Sequence, residues 1–224
     1  DRELAFKVNA EAVEVLAQAA AECGALLVHY STDYVFDGSG DKPWREDSPT
    51  GPLSVYGRTK LAGEDAIRAS ACRHLIFRTS WVHAARGGNF ARTMLRLAAE
   101  RERLTVIDDQ IGAPTGADLL ADITAHCVRS VSNDPSLTGT YHAAAAGETS
   151  WHGYARFVID TARELKPGLA LQVTQIDPVP TSAYPTPAQR PLNSRLDTGR
   201  LQSAFGLHLP HWQAGVRRML AEVL

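Results

Sequence analysis

The chain has 224 residues, enough for one large domain or two small ones with a sizeable core. It is 44% hydrophobic and 21% charged, which excludes a disordered or fibrous protein. The 23 Lys and Arg residues against 25 Asp and Glu residues give a formal net charge of -2. Because such a chain has no overall attraction to a polyphosphate, we expect no nucleic-acid partner.

The sequence also bears on the cellular compartment. No apolar run approaches the length needed to span a bilayer, so no membrane association is expected. The opening residues, Asp1-Arg2-Glu3, do not resemble a signal peptide. Cys23, Cys72 and Cys127 are odd in number and widely spaced. This pattern predicts a reduced, cytoplasmic protein.

The spacing of apolar residues predicts helices alternating with strands, and hence an α/β fold with a parallel sheet. The predicted helices cover 4–22 (ending at Gly24), 54–70, 89–102, 117–132 (with Thr115 as the cap and Asp118 returning the bond) and 150–165, and two short helices close the chain. The predicted strands cover 25–31, 74–79, 104–108, 139–144 and 170–176. A loop containing Pro178, Pro180, Pro185, Pro187 and Pro191 follows the last strand.

One expected feature is missing near the start. A dinucleotide-binding fold opens with a strand, a Gly-rich turn and a helix, yet no G-x-G-x-x-G occurs there. Residues 1–22 already have the pattern of a helix from the middle of such a fold. We therefore expect a Rossmann-like sheet truncated at its N-terminus, lacking about two βαβ-sized units of about 30 residues each.

The strongest local motif is Tyr56-Gly57-Arg58-Thr59-Lys60, a Tyr-x-x-x-Lys on a predicted helix. Positions i and i+4 share one helix face, so both side chains can reach one ligand. A nearby ammonium favours the phenolate and lowers the tyrosine pKa, so that the pair can deliver a proton to a carbonyl oxygen. Taken alone, the motif is also typical of a solvated helix face.

Ser31-Thr32-Asp33 adds to this motif, because it follows a predicted strand. Ligands of open α/β sheets bind beyond the carboxyl ends of the strands. A hydroxyl there can hydrogen-bond the same carbonyl oxygen. The alternative for Thr32 is a turn or helix cap. A strand-end hydroxyl followed by Tyr-x-x-x-Lys is much rarer than either part, and it favours an active site.

Five segments, in order over nearly the whole chain, resemble the dTDP-4-dehydrorhamnose reductases, a family of extended short-chain dehydrogenases/reductases. The segments are 26–37 (LLVHYSTDYVFD), 52–64 (PLSVYGRTKLAGE), 75–82 (LIFRTSWV), 109–116 (DQIGAPTG) and 180–197 (PTSAYPTPAQRPLNSRLD). The resemblance implies NADPH-dependent reduction of the C4 keto group of dTDP-4-dehydro-L-rhamnose to dTDP-L-rhamnose, for cell-surface polysaccharide such as lipopolysaccharide O-antigen. NADH stays open as an alternative.

The resemblance also implies an organisation. Residues 1–110 would be the remainder of the dinucleotide-binding domain with the catalytic residues, and 111–224 mainly a smaller α/β substrate-binding lobe, with the chain free to cross between them. Residues 1–224 alone are expected to be inactive. The family is associated with Mg²⁺ and homodimers, but no residue is assigned to the ion. The eight histidines show no zinc-binding pattern, so no metal ligand is predicted.

Residue roles follow from the same resemblance. Tyr56 would donate the proton, Lys60 would hold the nicotinamide ribose and tune Tyr56, and Thr32 would complete the catalytic triad. Asp33 would lie beside them at the sugar. Trp81 would contact the deoxysugar, and its alternative is a place in the core.

Four further residues are weighed. Asn9 occupies a helix position where extended reductases place an asparagine near the active site and cofactor, and its alternative is an exposed helix residue. Arg190 and Arg195 suit diphosphate recognition, with a surface role as the alternative. His83 stands where the family has a tyrosine, so it is given no role.

Two other functions stay open. One is a non-catalytic binding protein of the same fold, such as the regulatory subunit of methionine adenosyltransferase. The other is a different nucleotide-sugar reductase or epimerase. The presence of Thr32, Tyr56 and Lys60 together favours an enzyme.

Overall fold

A computed structural model describes residues 1–184 and 189–224 of the chain. The chain forms two compact units, each built from three segments. The first unit comprises Asp1–Ser80, Asp122–Ala144 and Ala188–His208, and the second comprises Trp81–Ala121, Ala145–Pro187 and Leu209–Leu224. Neither unit ends at residue 110, where the sequence placed an approximate boundary between lobes.

Helices and strands alternate along the chain, as the apolar pattern predicts. The α-helices are α1 (Arg2–Phe6), α2 (Ala12–Cys23), α3 (Val55–Ala69), α4 (Phe90–Glu100), α5 (Ala117–Asn133), α6 (Trp151–Leu165), α7 (Gly199–Phe205) and α8 (Trp212–Val223). The strands are β1 (Leu26–Thr32), β2 (Arg73–Thr79), β3 (Val82–His83), β4 (Arg103–Ile107), β5 (Ile111–Gly112), β6 (Thr115–Gly116), β7 (Gly139–His142), β8 (Thr149–Ser150) and β9 (Gln175–Val179). A π-helical turn, Lys7–Glu11, joins α1 to α2, and a 3₁₀ turn, Asp33–Val35, follows β1.

The first unit contains a parallel sheet in the order β1-β2-β7. β1 pairs with β2 from Leu26 opposite Arg73 to Thr32 opposite Thr79. β2 pairs in turn with β7. The carboxyl end of β1 leads directly into the 3₁₀ turn, so the sheet delivers Thr32 and Asp33 to its edge. The prediction of a parallel α/β sheet is confirmed.

Local chemistry sets the ends of the helices beside this sheet. α2 stops at Gly24, whose φ of 69° lies in the left-handed region, as the sequence predicts. α3 begins after Ser54, whose hydroxyl accepts a hydrogen bond from the Gly57 N–H at 3.1 Å.

A buried apolar cluster holds α2 and α3 against the sheet. Its members are Val13, Ala17, Ala20, Ile67, Cys72 and Ile76. An ion pair beside it joins Glu64 of α3 to Arg78 of β2, with 2.7 Å between Arg78 Nη2 and Glu64 Oε2. Both side chains are almost completely buried. Because removing one member of a buried pair leaves an uncompensated charge, this pair strongly ties α3 to the sheet.

The second unit packs around an aromatic core. Trp81, Phe90, Trp151, Tyr154 and Trp212 contact one another or the same buried cluster. The second unit also contains three two-stranded sheets in the described residues: β3 with β6 and β4 with β9 are parallel, and β5 with β8 is antiparallel.

Two local predictions are wrong. Thr115 does not cap α5, because it lies in β6, where its hydroxyl donates to the Ala113 carbonyl and accepts from the Ala145 N–H. The strand predicted at 170–176 forms instead at Gln175–Val179. Its first residues bond to the end of α4, since the Gln172 and Val173 amides donate to the Ala98 carbonyl.

The proline loop is also shifted. Pro178 lies inside β9, which in residues 1–184 and 189–224 pairs only with β4 and so tolerates a residue without an N–H. Pro185 and Pro187 fall outside the described residues. Within residues 1–184 and 189–224, no helix is both long enough and apolar enough to cross a membrane.

Candidate active site

Thr32 organises the turn at the end of β1. Its hydroxyl accepts a hydrogen bond from the Tyr34 N–H at 3.2 Å and donates one to Asp33 Oδ1 at 3.1 Å. Thr32 and Asp33 are both buried. The alternative function of Thr32 as a cap is therefore realised, and it fixes the hydroxyl in one place. The Thr32 hydroxyl also lies close enough to the Tyr56 side chain to lower the pKa of the phenol.

Tyr56 lies in the first turn of α3 and is 49% exposed. Its ring packs edge-on against Tyr34, with 5.7 Å between the ring centroids. Gly57 permits this approach, since a Cβ there would lie 2.2 Å from the Tyr34 carbonyl oxygen. The tight contact between α3 and the turn brings the Tyr56 and Thr32 hydroxyls together.

Partial burial of Tyr56 raises its pKa above the ordinary value of 10.0. The hydrogen bond with Thr32 lowers that pKa, and the charge of Asp33 raises it further. The net direction is opposite to the lowering by Lys60 that the sequence predicts. The reason is that burial outweighs the other effects, while the Lys60 ammonium contacts another residue. The phenol is therefore protonated at neutral pH, so its proton is present for transfer, although burial makes that proton harder to release.

Lys60 lies one turn further along α3 and contacts β1. Its Nζ is 3.1 Å from His29 Nε2. Burial lowers the pKa of Lys60, and the charge of Glu64 acts in the opposite direction. Burial, followed by the Lys60 charge, lowers the pKa of His29 to about 4, again opposed by Glu64. The imidazole is therefore neutral beside the ammonium at physiological pH.

Asp33 is a buried carboxyl group at the same edge of the sheet. Burial raises its pKa to about 6, although hydrogen bonds with Ser194 and Thr32 act to lower it. Ser194 is itself buried and arrives from the C-terminal segment of the first unit. An acidic group with a pKa this close to neutrality, next to two hydroxyls, is typical of a functional site.

Asn9 is half-buried and contacts α3. It lies in the π-helical turn, and its Nδ2 donates to Thr59 Oγ1 at 3.1 Å. The Thr59 hydroxyl in turn donates to the Tyr56 carbonyl at 2.9 Å. Asn9 is thus brought to the stretch of helix between Tyr56 and Lys60. π-helical turns are often found at functional sites.

The two arginines have different surroundings. Arg190 is exposed, and its charge acts to lower the pKa of Tyr34, the neighbour of Tyr56. Arg195 is half-buried, and its Nη1 donates to Asn193 Oδ1 at 3.3 Å within its own segment. The structure therefore brings Arg190 towards Tyr34, whereas the Arg195 guanidinium supports the chain locally.

Trp81 belongs to the second unit. Its φ of 48° is unusual for a bulky residue, and such strain is found mostly at functional sites. The indole stacks on Trp151, with ring centroids 3.6 Å apart. Trp151 is held by a hydrogen bond from its Nε1 to Gln110 Oε1 at 3.0 Å. His83, two residues after Trp81, is buried, and burial lowers its pKa.

Three site residues were missed in the sequence: His29, Ser194 and Thr59. Each acts through a contact with a residue distant in sequence or with the helix backbone. His29 and Ser194 lie inside the segments LLVHYSTDYVFD and PTSAYPTPAQRPLNSRLD, so the resemblance located the segments but not the role of these two residues. Within residues 1–184 and 189–224, no group of three or more His, Cys, Asp or Glu side chains is arranged to hold a metal ion.

Comparisons with known proteins identify the family of the chain. The family model described as RmlD substrate binding domain matches residues 1–224. A curated relative named dTDP-4-dehydrorhamnose reductase, from Salmonella typhimurium, is 59% identical over 221 residues, 99% of this chain and 73% of the relative. A relative of the same name from Escherichia coli K12 is 58% identical, with 99% of this chain and 73% of the relative covered.

A solved structure is similar throughout. The dTDP-4-dehydrorhamnose reductase from Bacillus anthracis, in complex with NADP, has a TM-score of 0.89 and 34% identity over 99% of this chain and 74% of that one. The sequence resemblance and the Rossmann-like α/β fold are thereby confirmed. The chain belongs to the RmlD substrate binding domain family, in which its relatives are named dTDP-4-dehydrorhamnose reductases.

Proposed function

We propose that this protein catalyses the NADPH-dependent reduction of dTDP-4-dehydro-L-rhamnose at C4, giving dTDP-L-rhamnose. The observation that carries the proposal is the proximity of Thr32, at the end of β1, to Tyr56, which shares one face of α3 with Lys60. Support for NADPH over NADH comes from the NADP bound in the Bacillus anthracis reductase. The 59% identity to a named reductase supports the substrate.

The residues present fit a nicotinamide nucleotide. Lys60 has three N–H donors, of which His29 takes one, so the others are available to the hydroxyls of a ribose. Tyr56 is half exposed and next to it on the helix face. When bound, NADPH supplies the hydride that goes to C4 of the sugar. Asn9 would help to place the cofactor through its contact with Thr59.

Tyr56 then provides the proton. The hydride adds to the carbonyl carbon, and the phenolic proton moves to the carbonyl oxygen, so that the ketone becomes a secondary alcohol. The Thr32 hydroxyl, beside Tyr56, orients the same oxygen. The phenolate that remains then regains its proton from solvent.

Three residues are proposed to bind the substrate. Asp33 lies next to Thr32 and can accept a hydrogen bond from a sugar hydroxyl. Trp81 offers an indole held by Trp151, which suits the apolar face of a deoxysugar. Arg190 carries an exposed guanidinium suited to a diphosphate. The homodimer, Mg²⁺ binding, a cytoplasmic location and a role in cell-surface polysaccharide stay predictions.

The test is steady-state reduction of the keto sugar by a Tyr56→Phe variant of the full-length protein. Loss of a positioned acid typically slows turnover by about 10²–10⁴-fold, while substrate binding should change little because the ring remains. Tyr30→Phe is the matched control, since Tyr30 also lies on the first unit, with its hydroxyl 2.6 Å from Thr124 Oγ1.

Near-normal turnover by a folded Tyr56→Phe protein would remove Tyr56 as the acid. A wild-type chain that binds nucleotides but reduces no keto sugar would instead favour the non-catalytic, regulatory relative. Turnover of another nucleotide sugar in preference to the rhamnose precursor would favour a different reductase or epimerase.

A further inference from the structure

β1 contributes a second polar side chain to the catalytic helix. His29 lies three residues before Thr32 on this strand, and its Nε2 is 3.1 Å from Nζ of Lys60. The same strand thus touches both members of the Tyr-x-x-x-Lys pair, through Thr32 at Tyr56 and through His29 at Lys60.

The direction of this hydrogen bond follows from the chemistry of the two groups. A lysine ammonium has only donors, so the His29 Nε2 must accept, and the imidazole proton must lie on Nδ1. The charge of Lys60 and the burial of the ring both oppose protonation of His29, and Glu64 acts weakly in the opposite direction. The acceptor lone pair on Nε2 is therefore available throughout the neutral pH range.

Besides His29, Lys60 has an acidic neighbour, Glu64, with which its ammonium could form an ion pair. Glu64 lies one helical turn further along α3, and its charge acts on the pKa of Lys60. The Glu64 carboxylate, however, already receives hydrogen bonds from Arg78 Nε, Arg78 Nη2 and Arg68 Nη1. His29 is a neutral acceptor, so it can fix the ammonium without cancelling the charge that the reaction uses.

We propose that His29 is a positioning residue, which holds the Lys60 ammonium by one N–H and leaves the other two for the cofactor. This inference rests on the proposed function for its kinetic consequence, but the hydrogen bond itself can be tested separately. It predicts that losing the acceptor weakens cofactor binding and turnover, while keto-sugar binding is unchanged.

The kinetic test compares His29→Leu, which removes the acceptor, with His29→Gln, which keeps one on a side chain of similar reach. A hydrogen bond to a charged group is worth enough for a loss of about tenfold or more in kcat/KM for NADPH in His29→Leu. His29→Gln should recover most of it, and the KM for the keto sugar should stay within about twofold. His74→Leu is the matched control, because His74 is a half-buried strand histidine that bonds to the Cys72 carbonyl.

A merely structural role predicts another pattern: equal losses in His29→Leu and His29→Gln, with no difference between cofactor and sugar. That pattern would overturn the proposal. Calorimetric titration with NADP⁺ provides a readout without turnover, and His29→Leu should bind about tenfold more weakly than wild type. Equal NADP⁺ affinities for the two proteins would also overturn it.

Nitrogen NMR of the wild-type imidazole separates this inference from the proposed function. The expected spectrum has the proton on Nδ1 of His29 and an unprotonated Nε2, whatever sugar the enzyme reduces. A proton on Nε2 would sink the inference, even if the keto sugar is turned over. If the spectrum and the NADP⁺ affinities are as expected but no keto sugar is reduced, the positioning role of His29 stands and the proposed reaction is wrong.

Discussion

Ionisation of the buried Asp33 carboxyl group destabilises the folded protein. Burial raises its pKa from 3.8 to about 6, because the charged form loses water that Thr32 and Ser194 only partly replace. The folded state therefore holds this proton more tightly than the unfolded chain. The resulting stability is complete below pH 3.8 and is lost as the pH rises through 6. At pH 7 the ionised group costs stability, which is typical of a residue kept for function.

We therefore expect Asp33→Asn to stabilise the protein at pH 7. The gain is up to about 3 kcal/mol from a pKa shift of about two units, and it should shrink towards zero at pH 4. Turnover should fall if Asp33 contacts the sugar. Urea unfolding at the two pH values measures the effect. Asp37→Asn is the control, since backbone and side-chain bonds from Ser39 lower the pKa of exposed Asp37 and no gain is expected there. An equal gain at both pH values would contradict this explanation.

The residues of the Tyr-x-x-x-Lys motif could be predicted from the sequence, but the residues that contact the site from elsewhere in the chain could not. Tyr56 and Lys60 are recognisable because a fixed spacing of four puts them on one helix face whatever the rest of the fold does. His29 and Ser194 have no such local signal. Their role depends on the register of β1 and on a C-terminal segment returning to Asp33. The raised pKa of Tyr56 was missed for the same reason, because burial is a property of the tertiary structure.

The π-helical turn Lys7–Glu11 and α3 approach each other closely. A Cβ on Gly63 would lie 2.2 Å from the Asn9 carbonyl oxygen and 3.6 Å from Val13 Cβ. This contact falls in the π-helical turn, at the residue whose side chain bonds to Thr59. The helical periodicity predicts a helix over 4–22, and the π-helical turn inside it escapes such a pattern, since it accompanies the packing of Asn9 against α3.

Gly63→Ala tests that packing. The new methyl group would meet backbone, which cannot rotate away, so we expect a loss of about 1–3 kcal/mol in the free energy of unfolding. Gly215→Ala is the matched control in the interior of α8, because its Cβ would meet only His83 atoms at 3.9 Å. There alanine should be neutral or stabilise by about 0.5–1 kcal/mol. Chemical denaturation of both variants decides, and a neutral Gly63→Ala would show that α3 can shift without cost.

At the scale of the whole molecule, the division into units could not be read from the sequence. The first unit combines residues 1–80 with 122–144 and 188–208, so its sheet joins strands far apart along the chain. Composition and periodicity report on neighbours in sequence, and they give the order of elements but not these long-range returns. The failed strand at 170–176 has the same origin, since those residues bond to the end of α4 before joining β4.

Buried titratable groups in the first unit act in opposite directions as the pH falls. His29 and His142 have pKa values lowered to about 4 and about 3, in both cases mainly by burial. Their neutral forms favour the folded state, so this stability is present above pH 6.5 and is lost as the pH falls towards the folded values. The raised pKa of Asp33 has the opposite sign, and it partly offsets the loss between pH 6 and 4.

His142 allows this acid sensitivity to be isolated, because it is completely buried and close to Arg78, whose charge adds to the lowering of its pKa. In the wild type, lowering the pH from 6.5 to 4.5 should cost roughly 2–3 kcal/mol through this group alone. His142→Gln has no imidazole to protonate. Whatever stability it loses at pH 7, the difference between it and wild type should shift in its favour by roughly 2–3 kcal/mol when the pH falls to 4.5. His208→Gln, the same substitution at an exposed histidine, is the control for the change of side chain itself. Urea unfolding at several pH values gives the answer. A difference between His142→Gln and wild type that stays constant from pH 7 to 4.5 would mean that His142 titrates alike in both states.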